Sequence, residues 1–147
     1  MQLKRTFAAA IVSCASALAV ATPSASAGDP GACAFNGRTI FGQREYQCNL
    51  WRGNVPVYTS AWTGSSVLGY LYTGGRANWF VAQCVGVTAH LGPYVNYWWA
   101  RTMADNGRWG FVPLTYFAGG RDNQASGVLP PYDYTGRCGG GSTHPST

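Results

Sequence analysis

Residues 97–114 read YWWARTMADNGRWGFVPL, and this stretch decides the fold that the sequence predicts. Two short runs rich in aromatic residues, 97–103 and 108–114, flank the tetrapeptide ADNG at residues 104–107. An Asn-Gly pair tolerates positive φ at both central positions of a turn, which matches the twist of paired strands. The stretch therefore predicts a β-hairpin.

The rest of the chain shows the same pattern of short aromatic and β-branched runs cut by glycine, which is typical of an all-β sandwich or barrel. No run of ten or more residues free of Gly and Pro carries the apolar spacing of a helix. A short 3₁₀ turn is predicted at 115–117. The predicted long loops are 59–66 and 86–96, and the strands before the hairpin are 38–41, 46–51, 55–58, 67–72 and 78–85.

The N-terminus has the organisation of a secretory signal peptide. Lys4 and Arg5 precede an uncharged run at 7–21, and Ala25 and Ala27 supply the small side chains that signal peptidase requires, which places the cut after Ala27. The predicted signal peptide is thus residues 1–27, and the mature protein is predicted to be secreted. Two alternatives stay open: a membrane anchor, for which the apolar run is short, and a lipoprotein box ending at Cys14.

The mature chain would hold 120 of the 147 residues, enough for one domain. It carries eight Arg, no Lys and five acidic residues, which gives a net charge of +3. The Arg are scattered singly, whereas nucleic-acid binders usually show a basic stripe. We therefore expect a monomer that binds neither nucleic acid nor, after signal cleavage, a membrane.

Four cysteines remain after cleavage: Cys33, Cys48, Cys84 and Cys138. An even number in an exported chain predicts two disulfides, and the sequence leaves all three connectivities open. A zinc site is the alternative, although no pair has the short spacing of structural zinc ligands. Cys33 and Cys138 are expected to tie the two ends of the chain to the domain, and the residues after Cys138, 139–147, are predicted to be a disordered tail.

A family pattern runs through the middle of the chain. Its elements are V-x-V-Y at 55–58, a Ser/Gly-rich loop at 59–66, V-x-G-x-L at 67–71, Gly74, an apolar strand at 78–85, Trp98-Trp99, Asn106-Gly107 and GFVPLTYF at 110–117. In this order they resemble the bacterial SH3-like (SH3b) domain, with residues 54–117 as its core. The cysteines and the segment before Cys48 lie outside the general pattern and are similar to additions on small exported SH3-like proteins of high-GC Gram-positive bacteria.

The resemblance implies a small five-stranded β-barrel with a binding role, because such domains usually hold peptides or cell-wall peptidoglycan. We therefore expect a domain at residues 28–138 that adds N-terminal strands and a disulfide-tied C-terminal extension to the barrel. Many members of the family accompany a hydrolase domain, for which this chain has no room.

Few residues are suited to catalysis. The mature chain has two histidines, His90 in a predicted loop and His144 in the predicted tail, and no thiol is left once the disulfides form. The sequence holds no phosphate-binding, zinc-protease or calcium-binding motif. A Ser–His–Asp set assembled by the fold remains an alternative. We predict a protein that is not an enzyme and uses no cofactor and no metal.

Aromatic residues are abundant, with 20 in the 120 mature residues. Because neighbouring strand residues point to opposite faces, Trp98 and Trp99 cannot both face the core. Exposed rings dominate binding hot spots, although these rings could instead pack under the long loops. We predict a ligand groove between loops 59–66 and 86–96, floored by Tyr58, Trp62, Trp99, Trp109 and Tyr116.

Two functions are compatible with these features. The first is a secreted, non-catalytic binding module for peptides or peptidoglycan. The alternative is a secreted protein inhibitor of an extracellular hydrolase, which would use the loop HLGPY at residues 90–94. A rigid, disulfide-stapled loop suits an inhibitor because it binds without a large ordering cost.

Overall fold

The fold is built from β-strands. A computed structural model of the chain describes residues 33–119 and 121–139. No α-helix occurs within these two ranges, so the predicted all-β class is confirmed, and this part of the chain holds no helix long and apolar enough to cross a membrane. The strands are β1 (Cys33–Ile40), β2 (Gln43–Leu50), β3 (Val55–Tyr58), β4 (Val67–Leu71), β5 (Gly75–Phe80), β6 (Ala82–Leu91), β7 (Tyr94–Met103) and β8 (Trp109–Pro113), and a 3₁₀ turn at Leu114–Tyr116 follows them.

Some predictions concern residues beyond these ranges. The predicted signal peptide, residues 1–27 with Cys14, lies outside the described residues. The predicted tail after Gly139, with His144, lies outside them as well.

The strands form two antiparallel sheets. β1, β2 and β5 make a three-stranded sheet in the order β1-β2-β5, and the other five make a sheet in the order β4-β3-β8-β7-β6. The two sheets do not close into the five-stranded barrel that the resemblance implied. The extra N-terminal strands are the reason, because β1 and β2 take β5 as the third strand of a separate sheet.

The chain changes sheets at Val81. The sequence predicted one strand at 78–85, but β5 ends at Phe80 in the smaller sheet and β6 begins at Ala82 in the larger one. The backbone N–H of Val81 donates to the carbonyl oxygen of Arg101 at 3.0 Å, which fixes the corner against β7. Such corners let one chain serve two packed sheets.

The predicted hairpin is confirmed as β7 and β8, with Arg101 opposite Phe111. Its turn differs from the predicted one, because only Gly107 has positive φ (85°). Gly107 N–H donates to the carbonyl of Ala104 at 2.8 Å, and Ala104 N–H donates to that of Arg108 at 2.9 Å, so the loop has three residues. The side chain of Asn106 donates to the Leu68 carbonyl at 2.8 Å, which attaches the turn to β4.

The predicted loop at 86–96 is wrong. β6 continues to Leu91 and β7 starts at Tyr94, and these two residues pair across a tight turn in which Gly92 has φ 58°. Glycine at 86 is a packing requirement rather than a break in the strand. A β-carbon there would lie 2.6 Å from the Ala61 carbonyl oxygen and 2.8 Å from Cδ1 of Trp99.

The main core lies between the two sheets. Its central side chains, Val57, Phe80, Val112 and Phe117, are fully buried, and the rings of Phe80 and Phe117 lie 4.9 Å apart. A second buried cluster occupies the opposite face of the larger sheet. It consists of Ala61, Cys84, Ala89, Trp99, Phe111 and Cys138.

All four mature cysteines form disulfides, as predicted, and the structure settles their pairing. Cys33 is bonded to Cys48 across the β1–β2 pair, with a sequence separation of 15. Cys84 of β6 is bonded to Cys138, with a separation of 54. Disulfides persist in oxidising compartments, and both bonds therefore fit an extracellular environment.

The C-terminal extension, residues 121–139, covers the β6 edge of the larger sheet. Gln83 pairs with Pro131 and Val85 with Arg137 in parallel bridges. The side chain of Gln83, which is buried, donates to the carbonyls of Ser126 (2.8 Å) and Leu129 (2.6 Å) and accepts from the N–H of Ser126 (2.8 Å). The predicted disulfide-tied extension is therefore present, and it satisfies an edge that would otherwise expose unpaired backbone groups.

Candidate functional site

The outer face of the larger sheet carries aromatic and charged side chains. Side chains alternate along a strand, so the residues that flank buried Ala100 and Val112 point away from the main core. Residues of β7 and β8 that share this face pair as Arg101 with Phe111 and Met103 with Trp109. A row of large rings around one cation thus lies on the side of the sheet that faces away from the main core.

Phe41 lies at the turn between β1 and β2. The sequence predicted it as the end of a strand, but Phe41 and Gly42 form the turn, with φ of 48° and 77°. Positive φ is unfavourable for a bulky residue and marks a conformation that the surroundings must hold in place. The Phe41 side chain is 79 % exposed, and its ring centroid lies 6.0 Å from that of Trp109.

The guanidinium of Arg101 lies against three rings. Its central carbon is 5.4 Å from the ring centroid of Trp109, 4.8 Å from that of Phe111 and 5.8 Å from that of Tyr132. Burial lowers the pKa of Arg101 from its ordinary value, and the Tyr132 hydroxyl partly opposes that shift. Among the described residues, no carboxylate contributes to the pKa of Arg101.

Arg101 and the rings around it line a cavity of about 220 Å³ that is open to solvent. We call it the Arg101 pocket. Its lining comes from both sheets and from the C-terminal extension, since the β1–β2 hairpin, the β7–β8 hairpin and residue 132 all contribute. The lining residues are Phe41, Gln43, Arg101, Trp109 and Tyr132.

Trp79 supports the pocket from β5. Its ring meets that of Trp109 edge-on, with centroids 5.5 Å apart. Its backbone carbonyl accepts a hydrogen bond of 2.5 Å from the buried hydroxyl of Thr102 on β7. These two contacts hold the smaller sheet against the larger one beside the pocket.

The predicted groove included Trp99, and the structure differs at this residue. Trp99 is 0 % exposed, and its indole N–H donates to the Val87 carbonyl at 2.8 Å. Its ring packs in the second buried cluster, where Tyr58 contacts it edge-on at 5.7 Å. Trp99 is thus a core residue in this structure and does not floor an open groove. The loop predicted at 86–96 as a wall of the groove is also missing, because residues 86–91 and 94–96 are strand and only 92–93 form a turn.

Of the predicted site residues, only Trp109 lines the Arg101 pocket. Trp62 is 50 % exposed in the loop after β3. Tyr116 is half-buried and stacks on Trp51, with centroids 6.3 Å apart. Trp109 lies in the Arg101 pocket, whose lining includes none of the other four predicted residues.

Tyr58 and Tyr116 belong to a group of neighbouring phenols. Burial raises the pKa of Tyr58, and nearby Tyr70 adds to the increase. Burial also raises the pKa of Tyr116, to which Tyr58 adds, while Arg52 lowers it. Both hydroxyls are therefore held in the neutral form more strongly than a free tyrosine.

Phe41, Arg101 and Tyr132 were not among the predicted site residues. The Phe-Gly pair between two strand-like runs was the available signal for an exposed ring at a turn. Nothing in the local sequence of Arg101 or Tyr132 indicates that they meet. Their contact depends on the pairing of the C-terminal extension with β6.

The described residues contain no group of three His, Cys, Asp or Glu side chains that could hold a metal ion. His90, predicted in a loop, is instead an exposed residue of β6.

The chain was compared with protein-family models, curated proteins and solved structures. None of the three comparisons yields a match.

Proposed function

We propose that this protein is a secreted, non-catalytic binding module that holds a peptide or the peptide part of cell-wall peptidoglycan at the Arg101 pocket. The observation that carries the proposal is the pocket itself, in which exposed Phe41 and half-buried Trp109 flank the guanidinium of Arg101. Tyr and Trp rings and Arg are the residues most enriched in binding hot spots. The resemblance to SH3-like domains supports the same function.

Preorganisation favours binding at this pocket. The Cys33–Cys48 bond closes the β1–β2 pair that presents Phe41, and the Cys84–Cys138 bond holds the extension that presents Tyr132. Walls that are already fixed lose little conformational entropy when a ligand binds. The unfavourable φ of Phe41 is consistent with a ring that is positioned for contact rather than for stability.

Retention on purified peptidoglycan tests the proposal. The oxidised mature chain should be retained, and Phe41→Ala should weaken retention about tenfold, since truncating a hot-spot ring commonly costs about 1–2 kcal/mol. Tyr134→Ala is the matched control because Tyr134 is 100 % exposed and lies outside the pocket lining. Trp62→Ala reports on the groove predicted from the sequence.

The outcomes separate the sites. If Trp62→Ala abolishes retention and Phe41→Ala does not, the ligand lies at the loop after β3. If neither peptidoglycan nor a library of short peptides binds the wild-type chain, the proposed function is wrong.

The inhibitor alternative is favoured by one observation, which is the anchoring of the β6–β7 hairpin tip. Val95 N–H donates to the Asp122 carboxylate at 3.1 Å, and Asn123 N–H donates to the Val95 carbonyl at 3.0 Å. The ring of Tyr94 packs on Trp51, with centroids 5.9 Å apart. Titration of secreted proteases and glycosidases tests this alternative, and a panel that retains full activity would remove it.

A further inference from the structure

We infer that the Arg101 pocket recognises the free C-terminal carboxylate of a peptide whose last side chain is apolar. The inference rests on the proposed function, because it names the ligand chemistry of the same pocket. The juxtaposition that carries it is a guanidinium surrounded by rings at the mouth of a cavity large enough for one residue.

The pocket supplies one positive charge and no negative charge. Arg101 is its charged lining residue, and the other four are Phe41, Gln43, Trp109 and Tyr132. A guanidinium has five N–H donors in a planar fork that matches the two oxygens of a carboxylate. Rings stabilise the cation through their faces but accept no such paired hydrogen bonds. Among the residues that line the pocket, none is a carboxylate, so the fork is available to a carboxylate that enters from the open side.

Gln43 gives the pocket a second polar group. Its exposed side chain lies on the same lining as the guanidinium. An amide both donates and accepts hydrogen bonds. It can thus bind a carboxylate oxygen or the N–H of the last peptide bond, which a backbone ending at the pocket would present.

The apolar part of the ligand would lie against the rings of Phe41 and Trp109. Phe41 and Trp109 stand 6.0 Å apart at 66°, and the centroid of Trp109 is 5.4 Å from the guanidinium carbon. A terminal residue carries its carboxylate and its side chain on one α-carbon, so it spans both features at once. An internal Asp or Glu carries the charge at the end of the side chain and brings no separate apolar group.

The volume agrees with one terminal residue. Pockets for drug-sized ligands run from about 300 to 1,000 Å³, whereas this cavity holds about 220 Å³. A longer peptide would place its last residue here and extend over the surrounding surface. The remainder of the chain would contribute affinity but little specificity.

The test changes the ligand rather than the protein. Acetylated tripeptides ending in Ala, Leu or Phe are titrated as free acids and as C-terminal amides into the full oxidised mature chain. Trp109 and Trp79 give a fluorescence signal beside the pocket. The acids should bind at least about tenfold more tightly than the amides, as expected when a charge-assisted bidentate contact is lost. The Leu and Phe acids should bind more tightly than the Ala acid.

An amide that carries an internal Glu distinguishes the two sources of carboxylate. If it binds as well as the free acids, a side-chain carboxylate is the ligand and the inference is overturned. If acids and amides bind equally, the inference fails while peptide binding stands. If no peptide binds but peptidoglycan retains the protein, the inference alone fails; if neither binds, the proposed function fails with it.

Variants provide an independent check. Arg101→Lys keeps the charge but removes the fork, so it should reduce the acid-over-amide preference to about threefold or less. Arg108→Lys is the matched control, because Arg108 is an exposed residue of the same hairpin and lies outside the pocket lining. Gln43→Ala, at an exposed position, tests the second polar group without disturbing the core. A preference that survives in Arg101→Lys with the fold intact would overturn the assignment to Arg101.

Discussion

The rings of Phe41 and Trp109 meet edge-on, with centroids 6.0 Å apart, although one belongs to the turn of the three-stranded sheet and the other to β8 of the five-stranded sheet. The contact joins residues 68 positions apart in sequence. It places the non-glycine residue of the β1–β2 turn, which has a positive φ, at the opening of the Arg101 pocket.

The strain at Phe41 should be measurable. Both Phe41→Ala and Phe41→Gly remove the ring, but only Gly adopts a φ of 48° without steric cost. We expect Phe41→Gly to be more stable than Phe41→Ala by about 0.5–1 kcal/mol, after the larger entropy of Gly in the unfolded chain is subtracted. Urea unfolding followed by tryptophan fluorescence measures the difference. If Phe41→Gly were instead less stable than Phe41→Ala by this entropy difference, the turn would carry no strain.

The two disulfides should differ in their contribution to stability. The loop-entropy relation gives about 3 kcal/mol for a closed loop of 15 residues and about 4 kcal/mol for one of 54. The paired Ser variant of Cys84 and Cys138 should therefore unfold at a lower denaturant concentration than that of Cys33 and Cys48. Chemical denaturation of both variants checks the order, and the reverse order would contradict the entropic explanation.

Gln83 should anchor the C-terminal extension. Gln83→Leu removes the partners of the Ser126 N–H and of the carbonyls of Ser126 and Leu129, and we expect a loss of about 2–4 kcal/mol. Hydrogen exchange at the amides of Tyr132 and Cys138, which donate to carbonyls of β6, should accelerate more than exchange at core amides. Gln47→Leu, at an exposed position of β2, is the control. Unchanged exchange in Gln83→Leu would contradict this role.

Alkaline pH should destabilise the protein through Tyr58 and Tyr116. Their pKa values are raised in the folded state mainly by burial, so the folded chain holds these protons more tightly than the unfolded chain does. Stability is then unaffected below the ordinary pKa of 10.0 and falls as the pH rises through the folded-state values. Thermal melting from pH 8 to 12 should show this decline, and it should be smaller in Tyr116→Phe. An identical decline in that variant would exclude Tyr116 as a source.

The sequence was a good guide where local chemistry decides the structure. The β7–β8 hairpin follows from residues 97–114 because a Gly-containing turn and two aromatic runs lie next to each other. Four cysteines in a chain that is predicted to be exported indicate two disulfides. The turn type differs since Asn106 is fixed by its bond to Leu68, a residue of another strand. The residues of the turn alone do not predict this contact with Leu68.

Long-range contacts account for the errors. Gly86 suggested a loop, yet the glycine is there because Ala61 and Trp99 leave no room for a β-carbon within a continuous strand. Of the pair Trp98-Trp99, the prediction placed Trp99 in the open groove. The face of the larger sheet that carries Trp99 is covered by the Cys84–Cys138 disulfide and the C-terminal extension, so Trp99 is buried. The same covering brings Tyr132 to Arg101, so the pocket could not be located before the path of residues 121–139 was known.

The C-terminal extension, which includes the last residues that the structure describes, forms its β-bridges with β6. Because Cys138 comes 54 residues after its partner Cys84, a chain made from the N-terminus leaves this edge of β6 unpaired until residues 131–138 have been synthesised. The extension therefore pairs with β6 only after the strands of both sheets have been made. The Cys84–Cys138 bond can close only after these residues have been made, and it persists where thiols are oxidised.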